Sequence, residues 1–275
     1  MKRIVFIVLL FGICLPAEIH AQTLLSGGRT SPAADSEAVM VTFEPAEDRT
    51  LSTLSAVPEL PVLSPELALA NYERRSALQP AQLAAYSAVT VIHAELPDTA
   101  QQGEFELERK YSAPHTLLFK PIRFVGDKFV KSSIITRLLQ SEVDHVEKDD
   151  VAQTAISPAN YKFSYKGRAD GQGRLVHVFQ VKPRQKRVGL FKGRMYLDAY
   201  TGSLVRVEGS IVKSPSFFVK HIQFVQDYAE VESFTLPVHV HSEARARLVG
   251  RTIIDITHSH DVPVPAQTQA VLPSM

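Results

Sequence analysis

The feature that most constrains this chain is a series of short, alternating apolar runs between residues 161 and 258. Turn-forming residues, such as Asp170-Gly-Gln-Gly173, separate most of the runs. Apolar side chains at every second position are typical of a half-buried β-strand. The runs cover residues 161–165, 175–181, 190–198, 204–212, 217–228, 236–248 and 252–258. The sequence therefore predicts a single antiparallel sheet in this region, not several domains.

A helix is predicted just before the first strands. Ser64 supplies a hydroxyl at the N-cap, Pro65 suits the first helical position, and Glu66 places an acid in the first turn. We expect the helix to end near Gln79, because Pro80 disfavours its continuation. The sequence leaves room for a second short helix, which would begin at residue 81.

Three further strands are predicted upstream of the main series. Residues 86–96 are rich in β-branched side chains. In residues 104–109 three glutamates alternate with a mostly apolar face that ends in Arg109. A strand over 115–124 contains Pro121, which indicates a sheet edge or a bulge.

Residues 128–146 change to a helical period. Val130, Ile134 and Leu138 form an apolar stripe, which residues 135, 139, 143 and 146 extend less strictly. The polar side chains, among them Glu142, are expected on the other side. The pattern predicts an amphipathic helix that packs on the sheet, followed by a charged linker to residue 158.

The N-terminus reads as a secretory signal peptide over residues 1–21. A basic start precedes an apolar run over 4–15, and Ala21 offers a small residue for cleavage. The only cysteine, Cys14, lies in that run, and Ile13 before it disfavours lipid attachment, although acylation there stays an alternative. Residues 22–63 are predicted to be a flexible leader and 263–275 a tail. The balanced charge, +1 over the whole chain, gives no reason to expect a nucleic-acid partner.

Several motifs resemble the outer-membrane lipoprotein-sorting proteins, the relatives of the carrier LolA. They are Gly193-Arg-Met-Tyr-Leu-Asp-Ala-Tyr-Thr-Gly202, Lys213-Ser-Pro-Ser-Phe-Phe-Val-Lys220, Phe224-Val-Gln-Asp-Tyr228 and Leu236-Pro237, with weaker matches at 103–109 and 160–163. The resemblance implies a domain over residues 64–262 with an α+β, mainly antiparallel fold. In that fold the sheet is a curved, incomplete barrel, and helices cover its concave face. It further implies a periplasmic protein that binds lipid or lipoprotein acyl chains and works with membrane-associated envelope proteins.

The apolar face of the later strands is the predicted ligand groove. Its residues are Phe218, Ile222, Phe224, Val238, Val240, Ile254 and Ile256. Ordinary core packing is the alternative for each of them.

Two histidine pairs raise the question of a metal site. His239 with His241 and His258 with His260 lie in consecutive strands. A two-residue turn would place position 241 opposite 260 and bring all four together, whereas a three-residue turn would place 248 opposite 252 and separate the pairs. The second arrangement puts Ile254 and Ile256 on the apolar face, so we predict that the pairs lie on opposite faces and that there is neither a metal nor another cofactor.

The remaining signals concern contacts and chemistry. Residues 182–187 form a basic hairpin tip, which suits either an anionic lipid or acidic partner or a plain solvated loop. The sequence lacks the nucleophile elbow, the zinc-protease helix, the P-loop and the dinucleotide fingerprint, so no catalytic residue is predicted and we expect no enzyme. The preferred interpretation is a carrier of lipoprotein acyl chains or of another apolar ligand. The alternative is an envelope-stress sensor or protein-interaction module on the same fold.

Overall fold

The computed structural model describes residues 61–148, 151–214, 219–247 and 250–266. The predicted signal peptide, nearly all of the predicted leader and most of the predicted tail lie outside these residues, as do Phe217 and Phe218 of one predicted strand. None of the helices in these four ranges is long and apolar enough to cross a membrane.

Within the described ranges, eleven strands build one antiparallel sheet. In chain order they are β1 (Leu83–Leu96), β2 (Gln101–Ser112), β3 (Thr116–Gly126), β4 (Tyr161–Asp170), β5 (Leu175–Pro183), β6 (Phe191–Asp198), β7 (Leu204–Ile211), β8 (Val219–Val231), β9 (Phe234–Ala246), β10 (Gly250–His260) and β11 (Val264–Pro265). They lie in the order β3-β2-β1-β10-β9-β8-β7-β6-β5-β4, and β11 pairs with β1. The two edge strands, β3 and β4, do not pair with each other, so the sheet is open and the predicted mainly antiparallel fold is confirmed.

Strand register places the apolar core on one face of the sheet, which we call the inner face. Ile92 pairs with Phe105 on one side and with Ile256 on the other, and Ile256 pairs with Val240. Val240 in turn faces Gln226, which connects this half of the sheet to β7 and β6. Because paired residues share a face, the core of both halves lies on the inner side. The opposite side is the outer face.

Helix α1 (Pro65–Gln82) covers the half of the inner face formed by β5 to β8. It begins as predicted, since the Ser64 side chain accepts a hydrogen bond from the Leu67 amide at 3.2 Å. The predicted end at Gln79 is wrong, because the helix continues through Pro80. Near a helix end a proline removes little hydrogen bonding, and here the Leu83 amide still donates to the Gln79 carbonyl. β1 then starts at once, so the allowed second helix is absent.

The helical segment 128–147 covers the other half. It consists of α2 (Lys128–Val130), a π-helical turn (Lys131–Ile135) and α3 (Thr136–Glu147), and a four-residue helix, α4 (Val151–Thr154), follows. Val130, Ile134 and Leu138 are buried, as predicted. The expectation that Glu142 lies on the polar side is wrong, because this side chain is buried too.

The first three strands follow the sequence closely. β2 buries Phe105, Leu107 and Arg109 and turns its glutamates outward. β3 is an edge strand, and its register against β2 shifts beside Pro121, which leaves Ile122 without a paired residue. Both interpretations of that proline, an edge and a bulge, are confirmed.

Candidate functional site

Six of the seven predicted groove residues belong to the described chain, and Phe218 does not. Five of the six lie on the inner face of β8, β9 and β10. Val238 is half-buried and sits where β8 and β9 shift register, between the pairs Asp227–His239 and Tyr228–Pro237. The five inner-face residues fall into separate environments.

Three of them belong to a packed core. Val240, Ile254 and Ile256 lie in one buried cluster with Val130 and Ile134 of the helical segment above them. The helix closes over this part of the sheet, so these three side chains stabilise the fold in the observed conformation.

Phe224 lies beneath α1, beside a cavity of about 50 Å³. Its ring meets that of Phe191 edge to face, with 5.2 Å between the centroids. The Gln79 side chain connects α1 to β9 through two hydrogen bonds. Its Nε2 donates to the Thr235 carbonyl at 3.0 Å, and its Oε1 accepts from the Thr235 backbone amide at 2.8 Å. Ligand pockets measure roughly 300–1,000 Å³, so this space fits a water molecule or two and not an acyl chain.

Ile222 belongs to the same buried cluster as Phe224, and it also lines a larger groove of about 370 Å³. The groove lies where β6 and β8 begin and β7 ends, and we call it the strand-end groove. Its apolar wall is formed by Ile211, Val212, Val219 and Ile222, and its polar rim by Lys192, Ser210, Ser214, His221 and Gln223. This size falls within the range of ligand pockets, so the strand-end groove is the candidate functional site.

Two local features shape the groove. Gly193 pairs with Gly209, and a Cβ on Gly193 would lie 1.9 Å from the Glu208 carbonyl oxygen, so only glycine allows β6 and β7 to approach so closely. In β8 the register shifts between Lys220 and Gln223, and His221 adopts a φ of 48°. A bulge of this kind bends its strand, so the regular pairing of β8 with β9 is interrupted near the start of β8.

The predicted basic tip divides into two kinds of side chain. The Arg184 Nε donates to the Pro158 carbonyl at 2.7 Å, and a terminal nitrogen of Arg187 donates to the Gln153 carbonyl at 2.8 Å. These arginines hold the loop in place. Lys182 and Lys186 are exposed and remain available to an anionic ligand.

The histidine pairs lie on opposite faces, as predicted. His241 pairs with Asp255 and His239 with Thr257, so these two histidines point outward, while His258 points inward beside Thr90. In the observed register Ala246 lies opposite Gly250, so the turn falls two residues earlier than predicted. Each residue therefore has a partner four positions away from the predicted one, and the alternation of faces is preserved. Outside, His241 Nδ1 lies 2.8 Å from the Asp255 carboxylate. No group of three or more histidine, cysteine, aspartate or glutamate side chains within the described ranges is arranged to hold a metal ion.

The inner histidines border a buried polar cluster that sequence reasoning missed. Arg109 of β2 forms an ion pair with Glu142 of α3, and both side chains are 3% exposed. The Arg109 Nε also donates to the Tyr86 hydroxyl at 3.2 Å. Burial lowers the pKa of His258 well below its ordinary value, and the Arg109 charge lowers it further. An arginine on an otherwise apolar strand face requires a buried acid, and this was the available signal.

A family model matches residues 151–259 of the chain, and it describes a family of unknown function, DUF5686. No curated protein matches. Among solved structures, the chain is similar to a LolA superfamily protein from Nitrosomonas europaea, with 9% identity, 73% of this chain and 94% of that chain covered, and a TM-score of 0.35.

Two further structures are also similar to the chain. A putative outer-membrane lipoprotein-sorting protein domain from Vibrio parahaemolyticus has 11% identity, coverage of 75% of this chain and 91% of that chain, and a TM-score of 0.36. The complex of MucA and MucB from Pseudomonas aeruginosa has 12% identity, coverage of 71% of this chain and 93% of that chain, and a TM-score of 0.24. Proteins of the family that the sequence resembles are thus among those found.

Proposed function

We propose that this protein is a periplasmic binding protein that holds the apolar chain of a lipid or lipoprotein in the strand-end groove and carries it towards the outer membrane. The observation that supports this function is the groove itself, about 370 Å³ in volume with four aliphatic side chains in its wall. An apolar wall with a polar rim suits an amphiphile better than a wholly polar ligand.

The hydrophobic effect is strong enough for such a role. Each buried methylene contributes about 0.8 kcal/mol, which strengthens binding about fourfold. A chain of moderate length therefore binds without any reacting side chain. The groove is lined by residues of the strand ends and of the loop after β7, so a chain enters it without displacing α1 or the helical segment.

Two isoleucines provide a matched test of this function. Ile222 lines the groove and is 7% exposed, whereas Ile254 lies in the core beneath the helical segment and is 9% exposed. Ile222→Ser and Ile254→Ser remove the same side chain from equally buried positions, so we expect losses of stability of the same order. Only Ile222→Ser should also weaken binding of a fluorescent fatty-acyl probe, by about tenfold or more.

The measurements are probe titration by fluorescence and thermal unfolding by circular dichroism. Wild-type protein that binds no probe, or an Ile254→Ser variant that loses binding as severely as Ile222→Ser, would contradict the proposal. Mass spectrometry of lipids extracted from the purified protein would then identify the natural ligand or show that there is none.

One observation favours a second function, a protein-interaction module such as an envelope-stress sensor. The edge strand β3 exposes Leu118, Ile122 and Val125, and Phe129 is exposed just beyond it. An edge strand with apolar side chains is able to pair with an extended segment of a partner. For this function, Ile122→Lys should abolish association with the partner protein, and Ile222→Ser should leave it unchanged.

A further inference from the structure

Basic residues are concentrated in one part of the sheet. Between residues 160 and 194 ten side chains are lysine or arginine and only Asp170 is acidic, although the whole chain has 30 basic and 29 acidic residues. Six of them belong to β4, β5 and β6 and four to the connections between these strands, in the edge region of the sheet that includes Lys192 on the rim of the strand-end groove. The charge is therefore segregated beside the candidate site.

Three lysines form a row across these strands on the outer face. Lys162 pairs directly with Lys182. Val181 pairs with Gly193, which places Lys182 beside Lys192 on the next strand. All three are exposed, and no described carboxylate forms an ion pair with any of them. Like charges in directly opposite positions destabilise a sheet, so this arrangement costs free energy in the unbound protein.

The row leads to the groove. Lys192 is both the last lysine of the row and a rim residue of the strand-end groove, where it lies near Ser210 and the aliphatic wall. Positive charge and apolar surface therefore meet at one side chain. An amphiphile with an anionic head complements both parts at once.

We propose that the ligand is an anionic amphiphile, such as a fatty acid, whose apolar chain occupies the strand-end groove and whose head binds the row Lys162–Lys182–Lys192. This inference rests on the proposed function and adds the chemical class of the ligand's head. Neighbouring strands lie about 4.8 Å apart, so the row spans roughly 10 Å. The lysine side chains are long and flexible, so their ammonium groups are able to converge on one carboxylate or phosphate head, which each binds as a point charge.

The test compares two ligands that differ only in the head: a saturated C14 carboxylate and the C14 alcohol. Below their solubility limits, the wild type should bind the carboxylate more tightly, and added salt should reduce the difference. The double variant Lys182→Gln/Lys192→Gln should bind the carboxylate on the order of 20-fold more weakly, at about fivefold per lysine, and the alcohol unchanged. Lys120→Gln is the matched control, because Lys120 is an exposed lysine on the outer face of the opposite edge strand.

The outcomes separate the two proposals. If neither ligand binds, the proposed function fails. If both bind equally and the lysine variant changes neither, the groove function stands and the anionic head is refuted.

Two further arms exclude other sources of the effect. If inorganic phosphate binds as tightly as the C14 carboxylate, and Ile222→Ser weakens neither, the row is a free-anion site and the inference is overturned. A lysine variant that loses only its binding to anionic phospholipid vesicles, and retains the monomeric carboxylate, would show a membrane-docking surface and overturn it as well. Thermal unfolding should show no loss of stability in Lys120→Gln or in the double lysine variant, and the double variant should be slightly more stable because the like charges are removed.

Discussion

Replacing one residue of the buried ion pair Arg109–Glu142 should destabilise the fold strongly, whereas replacing both residues should not. Both side chains are 3% exposed, and Arg109 also donates to the Tyr86 hydroxyl. Burying two charges costs several kcal/mol each, and their attraction offsets this cost only while both partners are present. Glu142→Leu removes the Glu142 carboxylate from a buried guanidinium, so the free energy of unfolding should fall by about 3–5 kcal/mol.

The double variant Arg109→Met/Glu142→Leu removes both charges and preserves side-chain volume approximately. Its stability should return to within about 1 kcal/mol of the wild type or exceed it. The assay is urea unfolding followed by circular dichroism, supported by tyrosine fluorescence, since the chain has no tryptophan. A loss below about 1 kcal/mol for Glu142→Leu, or a double variant as unstable as the single one, would refute the reasoning.

Two other perturbations test the rest of the fold. Burial lowers the pKa of His258 and of His260, so the folded state favours the neutral imidazoles. The contribution of these groups to stability should be complete above about pH 6.5 and should fall as the pH drops below it. Between pH 7.5 and pH 5, urea unfolding should show a smaller decrease in the free energy of unfolding for His258→Asn than for the wild type. An equal decrease in wild type and variant would count against this assignment. Gly193→Ala places a Cβ against backbone and should lower the free energy of unfolding by about 3 kcal/mol. In Gly173→Ala nothing lies within 4 Å of the added Cβ, so only the φ of 77° is unfavourable and the loss should be about 1 kcal/mol. Similar unfolding midpoints for the two alanine variants would contradict the close approach of β6 and β7.

The strands and their faces were accessible from the sequence because they obey a local rule. Alternation fixes which residues share a side, and the need to bury Ile254 and Ile256 places His258 with them and His239 on the other side. The exact register was not accessible, because a shift of the pairing by an even number of residues leaves every side chain on the same face of the sheet. The sequence therefore predicted which side each histidine occupies but not its partner.

The errors arose where a local rule met a longer-range effect. Pro80 disfavours a helix on its own, but it lies in the last turn and is buried, so the helix continues to Gln82. In an uninterrupted α-helix, residues 130 and 142 are about 120° apart around the axis, at 100° per residue. The π-helical turn at Lys131–Ile135 contains more residues per turn, which brings Glu142 back towards the line of Val130 and onto Arg109.

The position of the candidate groove has a physical cause that sequence patterns do not express. Alternation marks the whole inner face as apolar, and Phe224, Ile222 and Ile254 are equivalent by that rule. The helices decide between them: α1 packs on Phe224 and the helical segment on Ile254, whereas Ile222, in the same buried cluster as Phe224, also borders open space at the strand ends. The same strand ends border the segment with ten basic residues and one acid. The charges of the whole chain nearly cancel, so this local excess attracts anions to a groove in which an apolar chain has room.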